Sequence, residues 1–221
     1  MVQETKIITL PLPLRIGRVN CYLAKTEGGY ILIDTGSSNQ RAILEKELEA
    51  AGCVPGNLKL IVITHGDFDH TGNAAYLRAK YGAKIAMHEG DQGMAEHGDM
   101  FWNRKSGNAL IRKLAPILVG FPKSGRFCPD VCLEEGDHLG EYGFDARVVS
   151  IPGHSLGSIG ILAADGSLFC GDLFENRNQP ALSSIMDDPV TAWASFEKLR
   201  GMPVETIYPG HGDPFPITQL G

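Results

Sequence analysis

Residues 58–64, Leu-Lys-Leu-Ile-Val-Ile-Thr, form an apolar, β-branched run too short for a helix, and the chain passes straight from it into His65-Gly-Asp-Phe-Asp-His70. That junction constrains the fold more than any other feature. A short apolar run bounded by turn signals predicts a buried strand, and Ala74 to Tyr81 then reads as a helix. A loop of His and Asp at the carboxyl end of a strand, just before a helix, is where open α/β folds place their chemistry.

Pro152-Gly-His154, Gly171-Asp172 and Pro209-Gly-His211 repeat the arrangement, each after an apolar strand-like run. All four segments are therefore expected to converge at one edge of a sheet. Imidazole and carboxylate together suit zinc, iron or manganese. His65, Asp67 and Asp69 alternate, so an extended backbone would throw them to one side, with His70 turned off that line. The plain alternative is that these side chains cap turns and satisfy backbone donors. Four such segments in order argue against it for the set.

The rest reads as mixed strands and helices. Lys6–Leu12, Asn20–Lys25 and Tyr30–Asp34 are expected strands. Ser37 with Gln40 resembles a capping box, ahead of a helix with Ile43, Leu44, Leu48 and Ala51 on one face and Gly52 closing it. Later strands are Ala146–Ile151, Ser158–Ala163, Ser167–Cys170 and Thr206–Tyr208. Asp188-Pro189 offers an N-cap with proline at the first helical position, before a Trp193/Phe196/Leu199 core stripe. With neither a linker nor a strong internal repeat, one domain spanning 1–221 is expected.

Composition removes several classes. At 43% hydrophobic and 21% charged residues the chain is not disordered. A net charge of −6 makes nucleic acid a poor partner. No apolar run approaches the roughly 18 residues of a membrane span, and the first residues lack a basic-then-apolar leader. Five scattered cysteines fit a reducing cytoplasm, the expected location. Cys128 and Cys132 have no second pair and do not suggest a zinc ribbon.

One stretch departs from the acidic average. Residues 101–127 carry Arg104, Lys105, Arg112, Lys113, Lys123 and Arg126, with no Asp or Glu. Leu110, Ile111, Leu114, Ile117 and Leu118 are spaced as one helical face, although Pro116 should kink or end it. An inserted helical segment at about 89–127 is expected over the core. It reads either as a lid, bringing cations and Phe101, Trp102 and Phe121 to an acidic site and favouring an anionic small-molecule substrate, or as a solvated face. Its apolar stripe could also serve a homodimer. Phe68 and Phe174 are, with Trp102, the candidate pocket residues; each could equally only pack.

From Asn20-Cys-Tyr and Leu32-Ile-Asp-Thr-Gly36 to Tyr208-Pro-Gly-His-Gly212, nearly the whole chain resembles the metallo-β-lactamase-fold hydrolases. Their pattern is His-x-His-x-Asp-His, a later His, a bridging Asp and a last His. The resemblance implies an α/β fold, a four-layer αββα sandwich with a dinuclear site at one edge. It implies that His65, Asp67 and His154 hold one divalent metal, Asp69, His70 and His211 the other, and that Asp172 bridges them. Asp34, before Thr-Gly at a strand end, is expected to support the metal loop from behind. His88, His97 and His138 lack this context and are expected as surface or hydrogen-bonded residues.

Asp67 departs from the pattern, which has His there. Two divalent ions are expected, zinc first; a third carboxylate makes the centre less positive and a weaker Lewis acid, and tilts preference towards iron or manganese. A carboxylate here is also similar to the di-iron oxygen- and nitric-oxide-reducing branch of the family, where it is Glu. With ten residues after His211, the flavin domain of that branch and the glutathione-binding helical domain of the hydroxyacylglutathione hydrolases are expected to be missing. The expected function is hydrolysis of a small thioester, lactone or phosphate ester by a metal-bridging hydroxide, with Asp69 shuttling the proton and Asp172 completing the catalytic centre. A di-iron oxidoreductase served by a separate electron donor, and a non-catalytic metal-dependent sensor, are the alternatives.

Overall fold

The computed structural model describes residues 4–12, 17–104 and 123–220. The first sheet opens with an antiparallel meander of β1 (Thr5–Pro11), β2 (Arg18–Thr26) and β3 (Gly29–Ile33). It continues in parallel with β4 (Leu58–Val62), β5 (Lys84–Met87) and β6 (Val131–Cys132). Parallel neighbours need crossovers, supplied by α1 (Arg41–Ala50) and, after the short turn α2 (Phe68–Thr71), by α3 (Ala74–Tyr81). Helix α4 (Glu89–His97) begins the expected insertion, and a 3-10 turn at Lys123–Gly125 lies near its end. The stripe from Leu110 to Leu118 and Phe121 lie outside the described residues.

The second sheet repeats the plan. Strands β7 (Ala146–Ser150), β8 (Ile159–Ala163) and β9 (Ser167–Phe169) form a meander. Short strands β10 (Phe174–Asn176) and β11 (Ala181–Leu182) precede α5 (Pro189–Arg200), after which β12 (Thr206–Tyr208) pairs parallel with β9. β13 (His211–Gly212) joins β10, and β14 (Phe215–Pro216) edges the second sheet.

Strand alternation decides the layering. Leu32, Ile61, Ile63 and Ile85 face Leu44, Leu48, Leu77 and Tyr81 of the first helical layer. Their neighbours Ile31, Ile33, Leu60, Val62 and Ala86 turn the other way, onto Val148, Ile159, Ile161 and Phe169 of the second sheet. The far face of that sheet, with Val149, Leu162, Leu168 and Ile207, is covered by Ala192, Phe196 and Leu199 of α5. The order is helix, sheet, sheet, helix, as expected. No helix among the described residues is long and apolar enough to cross a membrane.

Four local expectations need correction. Ser37 does not cap α1 through its side chain; its hydroxyl lies 2.9 Å from Asn39 Oδ1, and the chain enters the helix through a 3-10 turn at Ser38–Gln40. Ile43 is exposed, while Leu44 and Leu48 are buried. Trp193 is 55% exposed, because a three-residue spacing walks about 60° around a helix per step and carries the first member off the packed face. Phe174 is fully buried and meets Phe196 edge-on at 5.5 Å, so it is core and not pocket lining. The N-cap of α5 is as expected, with Asp188 Oδ1 accepting from Thr191 N at 3.1 Å. Phe196→Ala is expected to lower stability by about 3–5 kcal/mol, and Trp193→Ala by under about 1 kcal/mol. Urea unfolding measures both, and equal losses would contradict this placement.

Candidate metal centre

The four segments do meet, at the carboxyl ends of strands from both sheets. β4 delivers His65, β7 His154, β9 Asp172 and β12 His211. Asp34, at the end of β3, has φ +59°, a left-handed conformation that Asp and Asn tolerate better than most side chains. From there its Oδ1 accepts from Thr64 N (2.9 Å), and its Oδ2 from Thr64 Oγ1 and His70 Nδ1 (both 2.7 Å). It supports the loop from behind, as expected.

The loop itself is not extended throughout. The backbone N–H groups of His70 and Thr71 both reach Asp67 O at 3.0 Å, so α2 is a helical turn that brings Asp69 and His70 round together. Asp91, which the sequence reading missed, is fully buried beneath it. Its carboxylate accepts from Gly66 N (2.8 Å), Ser155 Oγ (2.6 Å) and Gly157 N (2.8 Å), tying the His65 loop to the His154 loop. Asn20 and Tyr22 fasten the His211 loop through the carbonyls of Pro209 and Gly212.

Each imidazole is anchored through Nδ1. Thr64 Oγ1 gives its hydrogen to Asp34 and so accepts from His65 Nδ1 at 3.0 Å. His70 donates to Asp34, His154 to Ile185 O (2.7 Å) and His211 to Arg18 O (2.5 Å). Fixing Nδ1 in this way leaves Nε2 as the inward-facing ligand atom. Two donor groups result, His65/His154/Asp172 and Asp69/His70/His211, with the donor atoms of each within 4.8 Å of one another. Asp172 joins them, its Oδ1 3.3 Å from His70 Nε2 and its Oδ2 3.2 Å from His211 Nε2. His65 Nε2, His70 Nε2 and Asp172 Oδ1 are buried without a hydrogen-bond partner. Buried polar atoms are rarely left so, and three of them converging is what a divalent cation would satisfy. The residues therefore fit the metals their chemistry suggests.

The backbone comes close to this set at Gly210. A Cβ on Gly210 would stand 2.2 Å from Asp172 Oδ1 and 2.7 Å from His70 Cε1, which explains glycine beside His211.

The charges interlock. Burial alone would push His70 down, but Asp172 and Asp34 outweigh it and hold the imidazole well above its ordinary range. His154 and His211 are likewise raised against their burial, by Asp67 and Asp172 respectively. Burial would raise Asp172; His211 and His70 hold it well below the usual carboxylate range. His65 is lowered by burial and by His70. A cation entering here displaces protons from the raised imidazoles. Metal-free protein given zinc at pH 7 is therefore expected to release protons, and to bind more weakly as pH falls. Calorimetry in buffers of different ionisation enthalpy measures the release; a buffer-independent heat would contradict it.

Asp67 lies at the site with a partner the sequence reading placed elsewhere. Its Oδ2 is 3.0 Å from His154 Nε2, and its Oδ1 is 2.8 Å from Arg104 Nη2. Arg104, read as a lid cation, is buried and turned inwards; an acidic residue standing where the pattern has His was the signal that a compensating cation should exist. Burial would raise Asp67, yet Arg104 and His154 hold it well below its ordinary value. Phe68 is half-buried on α2. Trp102 is 54% exposed and stacks on His97 at 3.7 Å. His88 accepts from Gly90 N at the start of α4, and His138 only bridges the backbone of Arg147; neither joins the centre.

Residues 14–211 match the model of the metallo-beta-lactamase superfamily. The chain is 24% identical to a probable metallo-hydrolase, YflN, of Bacillus subtilis, over 84% of this chain and 76% of that protein. It is 28% identical to the hydroxyacylglutathione hydrolase GloC of Haemophilus influenzae, over 73% of this chain and 69% of that one. Among solved structures, TTHA1623 in a di-iron-bound form superposes with a TM-score of 0.73 at 28% identity, covering 97% of this chain and 96% of its own. With the layered sheets and the ligand loops at their shared edge, this chain belongs to the metallo-beta-lactamase superfamily.

Proposed function

We propose that the protein is a metal-dependent hydrolase of small ester-like bonds, with thioesters first and lactones or phosphate esters next. One observation carries it: four imidazoles, each fixed through Nδ1, turn Nε2 to a common centre shared with Asp69 and Asp172. The similarity to a hydroxyacylglutathione hydrolase supports thioesters within that class. A divalent metal held there supplies a Lewis acid for the scissile carbonyl and lowers the pKa of the attacking water.

The chain's own groups do the rest. Asp69, with Oδ2 3.5 Å from His211 Nε2, is placed to take the nucleophile's proton and pass it to the leaving group. Asp34 and Asp91 hold the loops so that the donor atoms stay aimed. Cys170, beside Gly171-Asp172, is no rival nucleophile, because burial pushes its thiol up.

Metal analysis of protein purified without chelator, followed by thioester, lactone and phosphate-ester assays, tests the reading. Turnover that is lost with chelator and restored by zinc, iron or manganese is the expected result. Metal-loaded protein inactive on the whole panel would overturn it. The di-iron redox reading draws on Asp67 and on the di-iron-bound neighbour; oxygen consumption by iron-loaded protein, with no ester turnover, would favour it.

A further inference from the structure

We infer that Arg104 is a built-in cation that competes with metal for the His65/His154 half of the centre, making the two half-sites unequal. The inference rests on the metal-centre reading above and concerns which half fills.

Arg104 Nη2 lies 2.8 Å from Asp67 Oδ1 and 3.1 Å from His154 Nε2. His154 gives its Nδ1 hydrogen to Ile185 O and its Nε2 also faces Asp67 Oδ2 at 3.0 Å; once Nε2 has given up its hydrogen it has a single lone pair. The lone pair can accept from the guanidinium or ligate a metal, not both. A metal on it would stand about 2.1 Å from Nε2, in space the guanidinium nitrogen claims. Arg104 is also held by charge: burial would lower it, but Asp67, and then Asp91 and Asp187, keep it firmly protonated.

The other half differs. Among the described residues, Asp69, His70, His211 and Asp172 pair with one another and with no Lys or Arg side chain. Charge fits the asymmetry. Asp67, Asp69 and Asp172 together carry −3, which one divalent cation and one guanidinium neutralise. In this view Asp67 does not enrich the ligand shell; it recruits Arg104, whose guanidinium stands in for a second cation.

Metal-free protein titrated with zinc and with cobalt, by calorimetry and cobalt absorption, tests this without any activity readout. Wild type is expected to retain one equivalent after gel filtration, with the second at least about 1000-fold weaker, the scale of a unit charge about 4 Å away at an effective dielectric near 20. Arg104→Met leaves Asp67 buried without its guanidinium, so the second equivalent should tighten by a similar factor while the first stays within a few-fold. The paired change Asp67→His with Arg104→Met removes both charges, restores the common pattern, and should retain two equivalents. It carries the same decision if the single variant does not fold. Two equally tight equivalents in wild type, or a second site unmoved in the variants, overturns the role of Arg104. Loss of the first equivalent as well, in every protein, overturns the metal-centre reading itself.

Discussion

Asp172→Ala is expected to lose metal and turnover together, with the rate on any substrate falling on the order of 1000-fold or more. Both oxygens of this carboxylate face imidazoles, at 3.3 Å and 3.2 Å, and it is the one donor placed between the two half-sites. Removing it leaves His211 without the main anion that raises it, and His70 with Asp34 alone. In metal-free protein the pH response changes in a defined sense. The depressed Asp172 stabilises the fold above about pH 4, its unfolded range, and that contribution is lost as pH falls through its native value. The raised His70 and His211 contribute fully below about pH 6.5 and lose that contribution as pH rises through their native values. Asp172→Ala should flatten both limbs of the stability curve. Thermal melts of chelator-treated protein from acid to alkaline pH show this, and plasma emission analysis shows the metal. A variant that kept its metal and its rate would mean that the centre lies elsewhere.

The second large effect falls on a residue that touches no substrate. Asp34→Ala removes the acceptor of three hydrogen bonds and places alanine at φ +59°. Breaking a buried charged network costs about 3–5 kcal/mol, and the left-handed backbone adds about 1 kcal/mol. His70 also loses the partner that fixes its tautomer, so metal affinity should fall about 10- to 100-fold. Asp34→Asn tolerates the backbone and keeps one acceptor, and should recover much of the stability but little of the affinity. Urea unfolding without metal and zinc competition with it separate the two losses. Stability within about 1 kcal/mol of the parent in Asp34→Ala would contradict the supporting role.

The layering and the convergence of the ligand loops were legible because both follow from local pattern. A five- to seven-residue apolar run that ends in His or Asp states where it is buried and where it stops. Helix α3 matches its expected span, and Asp188 caps α5 as its spacing says. What escaped was decided by partners distant in sequence. Phe174 follows Asp172 closely enough to suggest the pocket, yet the packing of α5 turns it into the core. Asp91 looks like any acidic residue in the first turn of a helix until the loops of residues 65–70 and 154–158 fold over it. Arg104 stood in a basic stretch whose average charge pointed outwards, while its own side chain answers one buried carboxylate. Periodicity reports which face is apolar; it cannot report which of six cations turns back.

The ligand set runs from His65 to His211, and the His211 loop is fastened by residues as early as Arg18, Asn20 and Tyr22. During synthesis, a chain emerging from the ribosome can form the meander and α1 to α3 early, since those contacts are local. It cannot present a finished centre until β12 and β13 have come back to the first strands. The ligand set is thus closed by long-range contacts, while the sheet that carries its first loop forms from local ones.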